Sequence, residues 1–116
     1  MIKIVSYFVT VMVMAAVLSS SHNAYGSEYD QGKALYDEKC VICHGANGKG
    51  DGPAAAALSP PPKDFSRPDF WNRENVDQII TNQVKNGKGS MPAFSLTEDE
   101  IKAIIDFMSH TFKKLN

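Results

Sequence analysis

The whole cysteine content of this 116-residue chain sits within one short stretch, Cys40-Val41-Ile42-Cys43-His44, in which a histidine directly follows the second thiol. The chain has room for one small domain, so whatever these side chains do must organise most of it. Three common uses of paired cysteines fit badly. A disulfide between Cys40 and Cys43 would close so small a loop that it would constrain little of the unfolded chain. Structural zinc needs four ligands, usually from two clusters, and the sequence has no second cluster. A thioredoxin-type redox pair belongs at a strand-to-helix junction, whereas residues 32–40 pattern as helix and residues 45–53 as loop.

A fourth use accounts for every residue of the motif. Two thiols separated by two residues can form thioethers to the vinyl groups along one edge of a haem, and the following imidazole is then held beneath the iron. On this reading Cys40 and Cys43 attach one haem c covalently, and His44 is an axial ligand.

The N-terminus agrees with export. Lys3 precedes an apolar run over residues 4–18, which gives way to small and polar residues ending in Ala24-Tyr25-Gly26, the pattern of a secretory leader cut after a small-x-small triplet. Ser6 and Thr10 interrupt the run, and it is shorter than the roughly 20 residues a spanning helix wants. Residues 1–26 are therefore expected to be a signal peptide, and residues 27–116 a single domain in the periplasm. The leader holds one basic side chain and no acidic one, so its removal takes the formal net charge from −1 to −2. That balance fits neither a nucleic-acid binder nor a polybasic membrane binder. A domain of this size is near the lower end of what an apolar core stabilises alone, so a central cofactor is expected to support folding.

If His44 takes one axial position, a second side chain can take the other. Outside the leader the choices are Met91, Met108 and His110. Met91 lies in a Gly-rich loop, and Pro92 disfavours helix at it, so its thioether has no evident core role. Met108 belongs to an apolar stripe with Ile101, Ile104, Ile105 and Phe112 at helical spacing, which predicts packing. His110 lies off that stripe near a helix C-terminus, where a solvated histidine is compatible with the helix dipole. Met91 is the expected ligand and His110 the alternative. Methionine opposite histidine raises the reduction potential, and two strong ligands leave no site for substrate or oxygen.

The remaining pattern is helix and loop. A first helix is predicted over residues 29–40, a second over 74–85 with Asn72 as cap and Gly87 as end, and a third led by a Thr97/Glu100 capping box. Between the first two, glycines and the run Pro60-Pro61-Pro62 exclude a long helix, although the four alanines from Ala54 allow a turn or two.

In chain order, GKALYDEKCVICHGANGKGDGP (residues 32–53), GKGSMPAF (87–94) and LTEDEIKAIIDFM (96–108) resemble the small single-haem class I cytochrome c family of bacteria. The resemblance implies an all-α cytochrome c fold, with three main helices and long loops wrapped around one covalently attached haem. It further implies that the first and last helices cross closely, with Gly32, Tyr36 and Phe107 at the crossing. A proline carbonyl downstream of the motif should accept the free N–H of His44; Pro53 is the nearest match, with Pro60 and Pro61 as alternatives. Trp71 could donate its indole N–H to a buried propionate, with Arg67 or Arg73 offsetting the charge, or it could pack in the core.

The expected function is therefore electron transfer rather than catalysis, with redox proteins as partners and no nucleic acid or stable membrane insertion. Two other readings stand beside it: a haem subunit of a multi-component oxidoreductase, and a ligand-binding haem protein with an open axial site. Lys33, Lys39, Lys49, Lys63, Lys85 and Lys88 mostly flank the haem loops while acidic residues cluster at 98–100, an asymmetry that would steer acidic partners.

Overall fold

Thr97 starts the best-defined helix as its sequence requires. Its hydroxyl accepts the Glu100 N–H at 3.2 Å, and its own N–H donates to the Glu100 carboxylate at 2.8 Å, so two amides without intrahelical partners are satisfied reciprocally. This helix, α5 (Glu98–Phe112), buries Ile101, Ala103, Ile104, Ile105, Phe107, Met108 and Phe112. Each large apolar side chain removed from water contributes about 1.5–3 kcal/mol before entropy.

The computed structural model describes residue 4 and residues 24–113. Apart from Ile4 and its last three residues, the expected leader lies outside the described residues. Preceding α5 in chain order are α1 (Ala24–Lys39), α2 (Val41–His44), a 3₁₀ turn (Ala55–Ala57), α3 (Pro68–Trp71) and α4 (Val76–Asn86). Among the described residues the only strand-like pairing is an isolated antiparallel bridge between Lys88 and Met91, so the all-α expectation is met. None of the helices described is long and apolar enough to cross a membrane.

The scaffold is the crossing of α1 over α5. Gly32 is buried, and a Cβ there would collide with the main-chain carbonyl of Ala103; a small residue facing a small residue lets the two backbones approach. Aromatic rings flank the contact, with Tyr29 and Tyr36 centred 5.3 and 5.4 Å from Phe107, and Tyr36 5.2 Å from Phe112. Tilted pairs of this kind add to plain area burial. The crossing implied by the family resemblance is thus present, at the expected residues.

Two helix starts differ from expectation. Within the described residues the first helix already includes Ala24, upstream of the expected Tyr29, since no proline stands in that turn to stop it. The helix expected from residue 74 begins at Val76, because Asn72 terminates α3 instead of capping α4. The residue before α4 is Asn75, in the left-handed region at φ 57°, a conformation Asn tolerates better than most residues.

Candidate functional site

The motif occupies the joint between α1 and α2. The Cys40 N–H still bonds the Tyr36 carbonyl at 2.9 Å, while the Cys40 carbonyl receives the His44 N–H at 2.9 Å, so Cys40 is the hinge residue shared by both helices. Both thiols are free and half-buried. Burial, reinforced by neighbouring Cys43, pushes the Cys40 thiol up to about 11, so it stands as a protonated thiol rather than a reactive thiolate.

The Gly-rich loop after the motif is shaped by the need to satisfy the carbonyls of α2. The amides of residues 48, 50, 52 and 54 donate in turn to the carbonyls of residues 45, 44, 43 and 42, at 3.1, 2.8, 3.1 and 2.9 Å. Every second loop residue therefore faces back onto the helix end and caps it. Gly50 adopts φ +74° against the Pro62 carbonyl, which explains a glycine there. Pro53, which has no N–H, falls between two donors, where none is needed. The buried Tyr36 hydroxyl adds a second bond to the Gly45 carbonyl at 2.9 Å.

His44 Nδ1 lies 3.0 Å from the Lys63 carbonyl oxygen. A carbonyl only accepts, so Nδ1 carries the proton and Nε2 keeps its lone pair for a ligand-binding role. This corrects the assignment of Pro53: the acceptor is the residue just after the three prolines, and neither Pro53 nor Pro60 or Pro61 provides it. The reason is tertiary, because Gly50 packs on Pro62 and Lys63 and so brings that carbonyl to the ring. Burial lowers the pKa of His44, partly opposed by the bond to Lys63, and the net effect favours a neutral ring.

Trp71 has two readings, propionate donor or packing. Its buried indole N–H donates to the Phe65 carbonyl at 2.7 Å, so the donor is engaged within the protein, and the packing alternative describes its ring. Of the two arginines, Arg67 pairs with Asp69 at 3.0 Å, and the Arg73 guanidinium sits 5.5 Å from the Phe70 ring centre.

Met91 sits in a tight turn closed by reciprocal backbone bonds with Lys88, at 2.9 and 3.0 Å. The Ser90 hydroxyl ties that turn to the Ser59 carbonyl at 3.3 Å. The Met91 side chain is half-buried against the core. Met108 is 2% exposed and packs in α5, while His110 Nδ1 bonds the Asp106 carbonyl at 2.9 Å, one turn back. Met91 remains the candidate opposite His44.

This donor set fits a covalently attached haem. Two free thiols lie on one turn of chain beside an imidazole with an uncommitted Nε2. Leu35, Val41, Met91, Phe94 and Leu96 pack on the core but are only partly covered, so apolar surface is left that a porphyrin could cover. Cys40 and Cys43 would hold the group by thioethers, with His44 and Met91 at the iron; when bound it supplies a one-electron ferric/ferrous couple.

The expected separation of charge is weaker than the sequence suggests. Lys33 pairs with Asp37, Lys39 with Glu38, and Lys85 with Glu98 of the acidic cluster itself. Sequence reasoning missed the Lys63 carbonyl and the Phe65 ring, which stacks on His44 with centroids 4.5 Å apart. The stiff run before Lys63 was the only local signal for them.

The family model described as "Cytochrome C oxidase, cbb3-type, subunit III" matches residues 27–108. Cytochrome c6 of Gracilaria tenuistipitata var. liui is 33% identical over 86 residues, covering 72% of this chain and 73% of that protein. Cytochrome c6 of Rippkaea orientalis is 32% identical over 110 residues, covering 91% and 90%. Cytochrome c6 of Cyanidium caldarium is 25% identical over 103 residues, covering 86% of each chain. The match takes in the crossing helices, the thiol motif and the Met91 turn together, and the chain belongs to the class I cytochrome c family, electron-transfer proteins that carry one covalently attached haem c.

Proposed function

We propose that this cytochrome is exported, loses residues 1–26, and shuttles single electrons between larger redox proteins of the periplasm, with Cys40 and Cys43 as attachment points and His44 and Met91 as axial ligands. The observation that carries this reading is the His44 imidazole, fixed in one tautomer by Lys63 beside two free thiols. The relatives named cytochrome c6 support a carrier role. With His44 and Met91 both bound, the iron would keep no position for substrate, and the group would supply electron transfer without bond making at the metal. The capping ladder and the Nδ1–H bond hold the donors in a fixed geometry, which favours exchange with little rearrangement.

Replacing Met91 by Ala tests the ligand assignment. The wild-type ferric protein should show the far-red sulfur-to-iron absorption band, and its ferrous form should exclude carbon monoxide at neutral pH. The variant should lose the band and bind the gas. A wild type that lacks the band and binds carbon monoxide would establish the open-site reading instead.

A second reading is a fixed subunit of a multi-component oxidoreductase, favoured by the matching family model, whose description names an oxidase subunit. Purification from the native host separates the two: a carrier elutes alone, a subunit with its complex.

A further inference from the structure

We infer that Phe65, clamped by Trp71, is a positioning residue that sets the rotational orientation of the His44 imidazole plane. The inference rests on the proposal that His44 is an axial ligand.

The Nδ1–H bond to Lys63 holds one edge of the ring. Carbonyl acceptors tolerate a broad range of donor directions, so this bond alone leaves the ring free to rock about its long axis. The face is held by Phe65, whose ring lies 4.5 Å from the imidazole, centre to centre, at an interplanar angle of 23°. Lys63 and Phe65 are two residues apart, so one short segment grips the imidazole by edge and by face.

That segment is itself restrained on both sides. The Phe65 N–H donates to the Gly48 carbonyl at 2.6 Å, and the Phe65 carbonyl accepts from the Trp71 indole at 2.7 Å. The Phe65 ring abuts Phe70 at 5.0 Å and Phe112 at 6.4 Å. Gly48 is pinned in turn, because the Phe112 ring fills the space where a Cβ would stand. Trp71 is on α3, whose first turn carries Pro68, a residue preorganised for a helix start. The orientation of the imidazole is thus transmitted from α3 and α5 through Phe65, and Trp71 acts on it through the Phe65 carbonyl.

In a low-spin ferric centre the plane of an axial imidazole selects which iron d orbital holds the unpaired electron, so orientation is read directly by magnetic spectroscopy. The test compares ferric holoprotein of wild type, Phe65→Leu and Trp71→Phe by electron paramagnetic resonance and by proton NMR of the haem methyls, alongside thermal melting. Phe65→Leu, which keeps an apolar side chain but loses the flat face, should shift and broaden the largest g value and reorder the methyl resonances. Trp71→Phe, which keeps a ring but frees the Phe65 carbonyl, should produce the same change in smaller measure. If both variants melt earlier while keeping the wild-type g values and methyl order, the residues are merely structural and the inference falls. Should Phe65→Leu yield no holoprotein, Trp71→Phe decides by the same criterion. A wild-type spectrum without histidine ligation would overturn the axial assignment, and the inference with it, and is distinguishable because it appears before any substitution.

Discussion

Replacing Tyr36 by Phe removes one oxygen from a side chain that is 1% exposed. The lost bond is the 2.9 Å contact from the Tyr36 hydroxyl to the Gly45 carbonyl. That carbonyl is not orphaned, because the Gly48 N–H still bonds it at 3.1 Å. The relevant magnitude is therefore the net worth of one hydrogen bond, about 1 kcal/mol, rather than the larger penalty for a stranded buried acceptor. In a domain of this size that lowers Tm by about 4–8 °C.

The same hydroxyl gives the substitution a pH signature. Burial pushes the Tyr36 pKa well above its ordinary value of 10.0. Below pH 10 the phenol is protonated in both folded and unfolded chains, and its contribution is fully present. Above pH 10 the unfolded chain sheds the proton and the folded one keeps it, so wild-type stability falls by about 1.4 kcal/mol per pH unit on this account. The variant lacks this loss, and other titrating groups are common to both proteins. The gap of about 1 kcal/mol should hold from neutral pH to pH 10 and close by about pH 11. Guanidinium unfolding of the two ferric holoproteins, followed by circular dichroism across pH 7–11, measures it. A gap unchanged at pH 11 would refute the claim that the hydroxyl is shut away from solvent in the folded state.

Two further substitutions probe the scaffold. Gly32→Val pushes a side chain into the Ala103 main chain, and since backbone cannot rotate away, the loss should reach or exceed the upper end of the roughly 1–3 kcal/mol typical of overpacking; recovery of holoprotein at wild-type yield and Tm would contradict the close crossing. Thr97→Ala removes the hydroxyl half of the α5 capping box, and should destabilise by about 1 kcal/mol with the visible spectrum unchanged; an altered spectrum would mean α5 is coupled to the site more tightly than its cap suggests.

How much of this was legible in the sequence depends on whether the signal was local. The capping box at Thr97 and Glu100, the apolar stripe of α5 and the spacing of Cys40, Cys43 and His44 are periodic or short-range, and each is recognisable without a partner. Gly32 was legible only through the family likeness, because a glycine near a helix start says nothing of Ala103, seventy-one positions later. The His44 acceptor was misplaced at Pro53 because a carbonyl carries no side-chain signature, and only the folded path of residues 50–63 decides which oxygen arrives. Trp71 was ambiguous for a related reason: an indole N–H always seeks a partner when buried, but the partner here is a main-chain oxygen six residues back. Asn72 was misread as the cap of the second helix because nothing local revealed the short α3, which ends on it.

The pairing of alternate loop amides with consecutive carbonyls of α2 makes that loop behave like a zip with two unequal rows of teeth. Inserting a single residue just after Gly45 would throw Asn47, Lys49 and Asp51 into seats now taken by glycine, and would move Pro53 onto a tooth that must donate. Length is consequently negotiable only beyond Ala54, in the stretch leading to the prolines, and that is where evolution has freedom to reshape the rim of this protein without loosening its grip on the imidazole.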